Sequence, residues 1–275
     1  MTVLEALNSA EERLRHIPDP RLDAEYLLAH VLGLPRLNLL MEKRRLLSPR
    51  ETAAYDALVA RRAGREPLQY IIGQQPFMGL SFRTDPRALI PRNDTEALCE
   101  AALALLSPGM RALDLCTGSG ILGIALSKLR PGVQVTASDI SADALALARE
   151  NADALGAPVR FVQGDLFAPV NGETFDLIVS NPPYIPAALR GKLQAEVERE
   201  PALALFAGAD GLDFYRRIAR EAPGHLAPGG WLLLEIGDDQ FPAVQALLSP
   251  AFDGITLIRD MNGLPRVIRA ERKPI

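Results

Sequence analysis

Residues 111–129 read RALDLCTGSGILGIALSKL, an apolar run followed by a glycine-rich turn and a second apolar segment. The pattern predicts a buried strand at Arg111–Leu115 and a helix at Ile121–Leu129. Glycines at a strand-to-helix turn let the backbone approach a ligand, and the first helical turn offers unpaired N–H groups. The spacing matches neither a dinucleotide fingerprint nor a Gly-Lys-Ser/Thr phosphate loop. The stretch predicts a ligand-binding turn in an α/β fold, although alone it also fits an ordinary tight turn.

Strands and helices alternate along the rest of residues 93–275 in the same way. Besides the first strand and helix, strand-like apolar runs span residues 133–138, 159–163, 175–180 and 231–236, and a helical pattern spans 142–155. Such alternation predicts a parallel sheet covered by helices on both faces. The last two runs, 254–259 and 265–270, leave no room for a helix between them and should pair antiparallel at one edge. Together these runs predict a seven-stranded, mostly parallel sheet.

Residues 1–72 predict a small all-α domain, because their apolar residues recur at helical spacing. Three helical stretches are expected: one with Leu4, Leu7 and Leu14 on a common face, one from Asp19-Pro20 to Gly33 with Leu22, Tyr26 and Leu27, and one from Ser48-Pro49 to Gly64 with Tyr55, Leu58 and Val59. Residues 73–92 form a linker in which Phe77–Phe82 predicts a β-hairpin around Gly79. The second domain then spans residues 93–275.

Acidic residues follow the next two predicted strands. Asp139 lies about 20 residues after the glycine-rich turn, which is the position of a carboxylate that accepts hydrogen bonds from ribose hydroxyls. Asp165 follows the third strand and could accept from an adenine amino group. Each aspartate alone is typical of a cap or turn. Because ligands bind at the carboxyl ends of strands in open α/β sheets, the set predicts a ligand that contains a nucleoside and lacks a pyrophosphate.

The sequence Asn181-Pro182-Pro183-Tyr184 directly follows the predicted strand at 175–180. The two prolines stiffen the loop and remove two N–H donors, which leaves carbonyl groups as acceptors. The Asn181 side-chain oxygen adds an acceptor, and Tyr184 offers a flat aromatic face. Two neighbouring acceptors match the two N–H donors of an amide or amino-purine nitrogen. We therefore predict that this loop binds a planar nitrogen-bearing group.

Composition argues against several other classes of protein. The 275 residues carry a net charge of −4, which is unfavourable for binding nucleic acid mainly through its phosphates. No apolar stretch is long enough to span a membrane, and Met1–Glu5 does not open a secretory signal. The two cysteines, Cys99 and Cys116, cannot form a disulfide framework. We expect a cytoplasmic monomer with no membrane association and no direct contact with nucleic acid.

These motifs resemble the class I S-adenosylmethionine-dependent methyltransferases, whose catalytic domain is Rossmann-like. Over nearly the whole chain, the sequence resembles the release-factor glutamine methyltransferase family (HemK/PrmC). Beyond the Asn-Pro-Pro-Tyr loop, the resemblance is carried by Tyr70–Gly73, Phe77, Gly79, Leu89–Glu96, Glu200-Pro201, Gly208–Leu212, Tyr215-Arg216, Glu235–Gly237 and Gln240. The tetrapeptide alone is shared with adenine and guanine amino-methyltransferases. The helical front domain and the Ile90-Pro91-Arg92 segment are more specific.

The resemblance implies a cofactor, a substrate and a set of binding residues. The substrate is the glutamine of the Gly-Gly-Gln motif in class-1 peptide chain release factors, methylated on its side-chain amide nitrogen, N5. S-adenosyl-L-methionine, converted to S-adenosyl-L-homocysteine, is expected to contact Cys116, Thr117, Gly118, Ser119, Gly120, Asp139, Asp165, Leu166 and Asn181. The glutamine is expected to enter the loop formed by Asn181, Pro182, Pro183 and Tyr184. The helical domain would bind the release factor, and no metal is required.

Three residues depart from the family pattern. Cys116 stands where glycine is usual, so the loop must accommodate a Cβ there; we expect a half-buried, inert thiol. Asn93 replaces a usual proline, and Leu166 stands where many members carry tryptophan.

The sequence suggests a mechanism that depends on orientation. We expect the Asn181 side-chain oxygen and the Pro182 carbonyl to hold the substrate N–H groups, with Tyr184 beside them. No general base is evident, because His16, His30 and His225 fall outside the motifs. Two alternatives stay open. One is a nucleic-acid amino-methyltransferase acting on adenine N6 or guanine N2, which would need base flipping on duplexes. The other is a non-catalytic module that keeps only the nucleoside pocket.

Overall fold

The structure is a computed structural model that describes residues 1–274, and it divides into two compact units. The first unit contains Met1–Gln74 together with Gln194–Arg199. The second contains Gln75–Leu193 and the chain from Glu200 onward. The short segment 194–199 therefore packs with the helical unit, although it follows the Asn-Pro-Pro-Tyr loop in sequence.

The first unit is built from helices α1 Val3–Arg13, α2 Pro20–Leu32, α3 Pro49–Ala63 and α4 Leu68–Ile72. Capping boxes begin two of them. Thr2 accepts from the Glu5 N–H while the Glu5 carboxylate accepts from the Thr2 N–H, and Ser48 and Glu51 repeat the arrangement at α3. Gly33 ends α2 with a φ of 63°, in the left-handed region that glycine adopts without strain. The predicted starts and ends of α2 and α3 are confirmed.

Only some of the large apolar residues named for the first two helices are buried. In α1 the buried residues are Val3, Ala6, Leu7 and Ala10, which follow one another at i, i+3, i+4 and i+7, and Leu4 is 40% exposed. In α2, Leu22 and Tyr26 are 39% and 42% exposed, whereas Ala24, Leu27 and Leu28 are buried. Alanine supplies much of the buried stripe, so a search for large apolar residues selected neighbouring positions.

A buried ion cluster ties the segment 194–199 into this unit. The Arg62 side chain is 6% exposed and donates to Asp23 at 2.6 Å and to Glu196 at 2.8 Å. Arg65 donates to the other oxygen of Glu196 at 2.7 Å. Because charges out of water are stable only when they are paired, these contacts fix the segment against α2 and α3.

The second unit begins with the predicted hairpin, formed by β1 Gln74–Phe77 and β2 Leu80–Arg83. Met78 and Gly79 both have positive φ values, 50° and 74°, as expected for a two-residue hairpin turn of the primed type. Phe77 and Phe82 pack edge to face with ring centroids 6.1 Å apart. The hairpin prediction is confirmed.

A seven-stranded sheet forms the centre of the second unit, as predicted. Its strands are β3 Arg111–Leu115, β4 Gln134–Asp139, β5 Val159–Gln163, β6 Phe175–Ser180, β7 Leu226–Glu235, β8 Phe252–Arg259 and β9 Pro265–Arg272. The accompanying helices are α5 Glu96–Leu105, α6 Ile121–Leu129, α7 Ala142–Leu155, α8 Asp213–His225 and α9 Phe241–Leu248. The strand order is β5-β4-β3-β6-β7-β9-β8, and β9 pairs antiparallel with both β7 and β8. The Rossmann-like α/β fold is confirmed.

Both faces of this sheet are buried. Along β6, Leu177 and Val179 join the apolar cluster beneath α5 and α6, while Ile178 joins the cluster beneath α8 and α9. Alternate side chains of a strand point to opposite faces, so a continuous apolar run is needed to fill both. Among residues 1–274, no helix is long and apolar enough to cross a membrane.

The strand order creates a crevice at one edge of the sheet. From β3 the chain moves outward through β4 to β5, and it then crosses to the other side of β3 to form β6. Loops at the carboxyl ends of β3 and β6 diverge at this reversal, which is where open α/β sheets bind their ligands.

Candidate active site

The glycine-rich turn after β3 is held by a buried carboxylate. The Oδ2 atom of Asp114 accepts from the Thr117 hydroxyl at 2.5 Å and from the Gly123 N–H at 2.9 Å. Burial raises the pKa of Asp114 to about 7. A Cβ on Gly120 would lie 2.8 Å from Ile124 Cδ1 and 3.1 Å from Ala148 Cβ, so this glycine is needed for α6 and α7 to pack. Asp114 and Gly120 therefore stabilise the conformation of the turn without lining the cleft themselves.

Cys116 occupies a strained position in the same turn. Its φ is 58°, in the left-handed region where a side chain costs free energy and glycine does not. The loop accommodates the Cβ of Cys116, as expected for a cysteine that stands where glycine is usual. Burial raises the pKa of the Cys116 thiol above its usual range, and the carboxylate of Asp139 acts in the same direction. The thiol is therefore protonated and poorly nucleophilic at neutral pH.

Asp139, the last residue of β4, faces the glycine-rich turn. Its Oδ2 accepts from the Gly118 N–H at 2.8 Å, and its Oδ1 accepts from the Ser141 N–H at 2.9 Å. Burial raises its pKa, although the backbone hydrogen bonds oppose that shift. A carboxylate has about four acceptor positions, so further lone pairs stay free for a ligand hydroxyl pair.

Asp165 and Leu166 close the cleft on the β5 side. Arg217 of α8 donates to Asp165 Oδ2 at 2.7 Å, an ion pair that the sequence did not suggest. Leu166 is 4% exposed and has a φ of 48°, so its backbone turns sharply beside the cleft. One oxygen of Asp165 is thereby committed to the ion pair, and the other is available to a ligand.

The Asn-Pro-Pro-Tyr loop extends from the carboxyl end of β6, next to the turn that follows β3. Asn181 donates through Nδ2 to the Thr95 hydroxyl at 3.3 Å. The Tyr184 carbonyl accepts from Gln240 Nε2 at 3.0 Å, and the Ile185 N–H donates to the Leu205 carbonyl at 2.9 Å. Burial raises the pKa of the Tyr184 hydroxyl, which therefore stays protonated at neutral pH. These contacts fix the loop at both ends.

A cleft of about 230 Å³ lies between the turn and the loop. The predicted residues that line it are Cys116, Thr117, Gly118, Ser119, Asp139, Asp165, Leu166, Asn181 and Pro183. The other three predicted site residues do not line the cleft in the part of the chain that the structure describes: Gly120, Pro182 and Tyr184. Pro182 is buried and Tyr184 is half-buried beside the core, so their side chains support the loop.

Several lining residues were given no role by the sequence. They include Arg87, Ala88, Ile140, Ser141, Ala144, Leu203, Ala204, Phe214 and Arg217. Ile140 could have been found from the sequence, because it is an apolar residue directly after the acid that ends β4. In the structure it is 50% exposed. Phe214 and Arg217 carried none, since they lie on α8, far along the chain from the motifs.

The region containing the turn, the acids and the loop matches a known domain. The family model described as the methyltransferase small domain matches residues 95–196. A solved methyltransferase from Pyrococcus furiosus aligns with a TM-score of 0.54 and 22% identity, covering 72% of this chain and 91% of its own, which establishes the shared fold. By fold and site, the second unit is a methyltransferase domain.

The helical unit and the full-length relatives specify the family. The model of the PrmC N-terminal domain matches residues 5–73. A release factor glutamine methyltransferase of Geobacter sulfurreducens is 47% identical over 254 residues, covering 92% of this chain and 89% of its own. The Deinococcus radiodurans protein of the same name is 43% identical and covers 99% of both chains. The chain belongs to the release factor glutamine methyltransferase family and is an enzyme of that class.

Proposed function

We propose that this enzyme transfers a methyl group from S-adenosyl-L-methionine to the side-chain amide nitrogen of the glutamine in the Gly-Gly-Gln motif of class-1 peptide chain release factors. Family membership over nearly the full chain supports the substrate, because the relatives carry release factor and glutamine in their names. The observation that carries the chemistry is Asn181, which lines the cleft at the start of a proline-stiffened loop.

The cleft fits the proposed cofactor. Asp139 can accept from the two ribose hydroxyls, and the turn at Gly118 and Ser119 leaves room for close approach, because nothing lies within 4 Å of a Cβ built on Gly118. Ser138 adds a buried hydroxyl oxygen with no hydrogen-bond partner among residues 1–274, and it lines the same cleft. When bound, S-adenosyl-L-methionine supplies an activated methyl group on a sulfonium. No metal ion is proposed.

Alignment of the substrate amide is the main task proposed for the protein. An amide nitrogen is a poor nucleophile, because its lone pair is delocalised into the carbonyl. The Asn181 side-chain oxygen and the Pro182 carbonyl accept from the two amide N–H groups and direct the nitrogen towards the cleft. Fixing reactants in line contributes up to about 7–11 kcal/mol to catalysis. The same acceptors stabilise positive charge that develops on nitrogen. Pro183 lines the cleft and is proposed to bound the site for the planar group, while Tyr184 supports the loop from the core side.

The helical unit, residues 1–72, is proposed to bind the release factor away from the glutamine. A glutamine side chain in a loop offers little contact area, so affinity must come from a wider protein surface. Residues 73–92 are proposed as the linker to the methyltransferase domain at 93–275, and their β-hairpin packs within the second unit. Because the proposed substrate is a translation factor, we also propose that the enzyme acts in the cytoplasm, as a monomer.

Methyl transfer from labelled S-adenosyl-L-methionine tests the substrate. Purified release factor, tRNA, rRNA and DNA are offered in parallel with the enzyme. We expect label on the release factor, with none on a release factor whose Gly-Gly-Gln glutamine is replaced by alanine. Label on nucleic acid alone would instead identify an amino-base methyltransferase acting on adenine N6 or guanine N2.

A further inference from the structure

Arg266, the second residue of β9, is a buried arginine to which the function proposed above gives no role. It is 7% exposed and contacts three acidic side chains. Its Nη2 atom lies 3.3 Å from Asp94 Oδ2 and 3.0 Å from Asp238 Oδ1, and its Nε atom lies 3.3 Å from Asp260 Oδ2. The planar guanidinium carries five N–H donors, so this one side chain joins three separate segments of the chain.

The first of these segments holds the beginning of the Asn-Pro-Pro-Tyr loop. Asp94 lies in the short 3₁₀ turn Asn93–Thr95 before α5, and the next residue, Thr95, is fully buried. The Thr95 hydroxyl accepts from Asn181 Nδ2 at 3.3 Å. Because Asp94 and Thr95 are adjacent, the ion pair between Asp94 and Arg266 restricts where this hydroxyl can lie.

The second segment, residues 236–240 between β7 and α9, holds the end of the loop. Gln240 is 8% exposed, and its Nε2 donates to the Tyr184 carbonyl at 3.0 Å. Its Oε1 accepts from the Gly237 N–H at 2.9 Å, so the carboxamide must present its NH₂ group to the Tyr184 carbonyl. Asp238 lies between Gly237 and Gln240 in the chain, and its ion pair with Arg266 therefore restricts this whole segment.

The third acid holds the arginine itself. The Asp260 side chain is 3% exposed and accepts from the N–H groups of Asn262 at 2.9 Å and Leu264 at 3.0 Å, in the turn between β8 and β9. The guanidinium cannot leave this carboxylate without breaking a buried ion pair, which is strongly unfavourable. Arg266 is therefore a fixed point against which the other two acids are held.

The sheet places this fixed point at the edge from which the loop emerges. Strands β6 and β7 are parallel neighbours, and Ser180, the last residue of β6, pairs with Leu234. Strand β9 lies on the other side of β7, where the Ile236 N–H donates to the Arg266 carbonyl at 2.9 Å. Both supports of the loop and the arginine that joins them therefore lie at the carboxyl ends of β6 and β7.

We propose that Arg266 is a positioning residue for methyl transfer, which couples the two supports of the Asn-Pro-Pro-Tyr loop and so fixes the Asn181 side-chain oxygen relative to the Pro182 carbonyl. The role rests on the function proposed above for this loop. Two acceptors must match the two N–H groups of one amide, so a shift at either end of the loop misaligns the pair. A displacement of about 1 Å can lower a reaction rate about 100-fold.

Neutral variants of the two outer acids test the role with little risk to the fold, because the Asp94 and Asp238 side chains are 41% and 58% exposed. We expect Asp94→Asn and Asp238→Asn each to lower kcat about three- to fivefold, the effect of one partly exposed ion pair. The KM for the release factor and the Kd for S-adenosyl-L-methionine should change less than twofold. Glu173→Gln, which removes a carboxylate that contacts Arg111 and Arg160 near the opposite end of β6, is the matched control and should keep kcat.

A double-mutant cycle shows whether the two acids act through the arginine. Arg266→Met alone should lower kcat about 10–25-fold, the product of the two single effects. In the Arg266→Met protein, Asp94→Asn and Asp238→Asn should then have almost no further effect on kcat. Arg266→Lys keeps the charge without the planar fork and should recover part of kcat. Thermal unfolding checks that each variant is folded, and a residue that only stabilises the fold would not produce this coupling in kcat.

Two results would overturn the positioning role. One is wild-type kcat in both Asp94→Asn and Asp238→Asn, a result that does not depend on the folding of any arginine variant. The other is an undiminished effect of both acid variants in folded Arg266→Met. A fully active Asn181→Ala would instead refute the role proposed for the loop.

Discussion

Replacing Asp139 by asparagine tests the cofactor site, and the hydrogen bonds of this carboxylate set the expected rise in the Kd for S-adenosyl-L-methionine. Both carboxylate oxygens accept backbone N–H groups, from Gly118 at 2.8 Å and from Ser141 at 2.9 Å. In Asp139→Asn one oxygen becomes an NH₂ donor, so the side chain can no longer accept from both N–H groups and also from both ribose hydroxyls, and one hydrogen bond from the ligand to a charged acceptor is lost. A hydrogen bond to a charged group contributes about 1.5–3 kcal/mol. We therefore expect the Kd for S-adenosyl-L-methionine to rise roughly 10–150-fold.

Isothermal titration calorimetry of the purified protein measures this Kd without any release factor present. Asp253→Asn makes the same chemical change at an exposed residue of β8, and its Kd should stay within twofold of wild type. Thermal unfolding without ligand checks that both variants are folded. A Kd for Asp139→Asn within twofold of wild type, in a folded protein, would refute the assignment of Asp139 to the ribose.

Three further changes have distinct expected outcomes. Asn181→Ala should lower kcat about 100-fold with the Kd for S-adenosyl-L-methionine within twofold, measured by methyl transfer and calorimetry; unchanged turnover would contradict the acceptor pair. Arg62→Met leaves the buried Asp23 carboxylate without its ion-pair partner and leaves Glu196 paired only with Arg65, so it should lower the free energy of unfolding by about 3–5 kcal/mol in urea. Arg61→Met, at a more exposed ion pair, should lower the free energy of unfolding by less than about 1 kcal/mol. Equal losses in the two variants would refute the stabilising role of the buried ion cluster. Finally, burial raises the pKa of Glu235 from 4.5 to about 7, so its protonated form is favoured by folding. Between these pH values the native state retains a proton that the unfolded state has lost. The free energy of unfolding of the wild type should therefore fall relative to that of Glu235→Gln as pH rises, by roughly 3 kcal/mol in all. Urea unfolding at both ends of the range checks this, and a constant difference would contradict it.

The sequence predicted the sheet well because its strands are buried on both faces. Continuous apolar runs of five or six residues are hard to mistake when Gly-rich turns or helical patterns separate them. The bounds of β3, β5, β6, α6 and α7 agree with the structure to the residue. Strand β7 begins five residues before its predicted start, since Ala227–Gly230 contains proline and glycines that usually interrupt a strand.

The helical unit was predicted less well, for a physical reason. Its stability depends on alanines and on a buried ion cluster, and neither stands out in an apolar pattern. Arg62 and Glu196 are 134 residues apart in sequence, so no local spacing could indicate that they meet. The candidate site also depends on contacts between residues that are far apart in sequence. Residues at strand ends could be predicted, whereas Asn181 and Thr95, which share a hydrogen bond, are 86 residues apart in sequence.

Mass spectrometry of the release factor after reaction tests the central claim most directly. Full-length enzyme, S-adenosyl-L-methionine and purified release factor are incubated, and the peptide that contains the Gly-Gly-Gln motif is fragmented. We expect one added methyl group on the side-chain nitrogen of that glutamine, and about 100-fold slower methylation with Asn181→Ala. An unmodified glutamine after incubation with active, cofactor-binding enzyme, or a methyl group on any other residue, would contradict the proposed function.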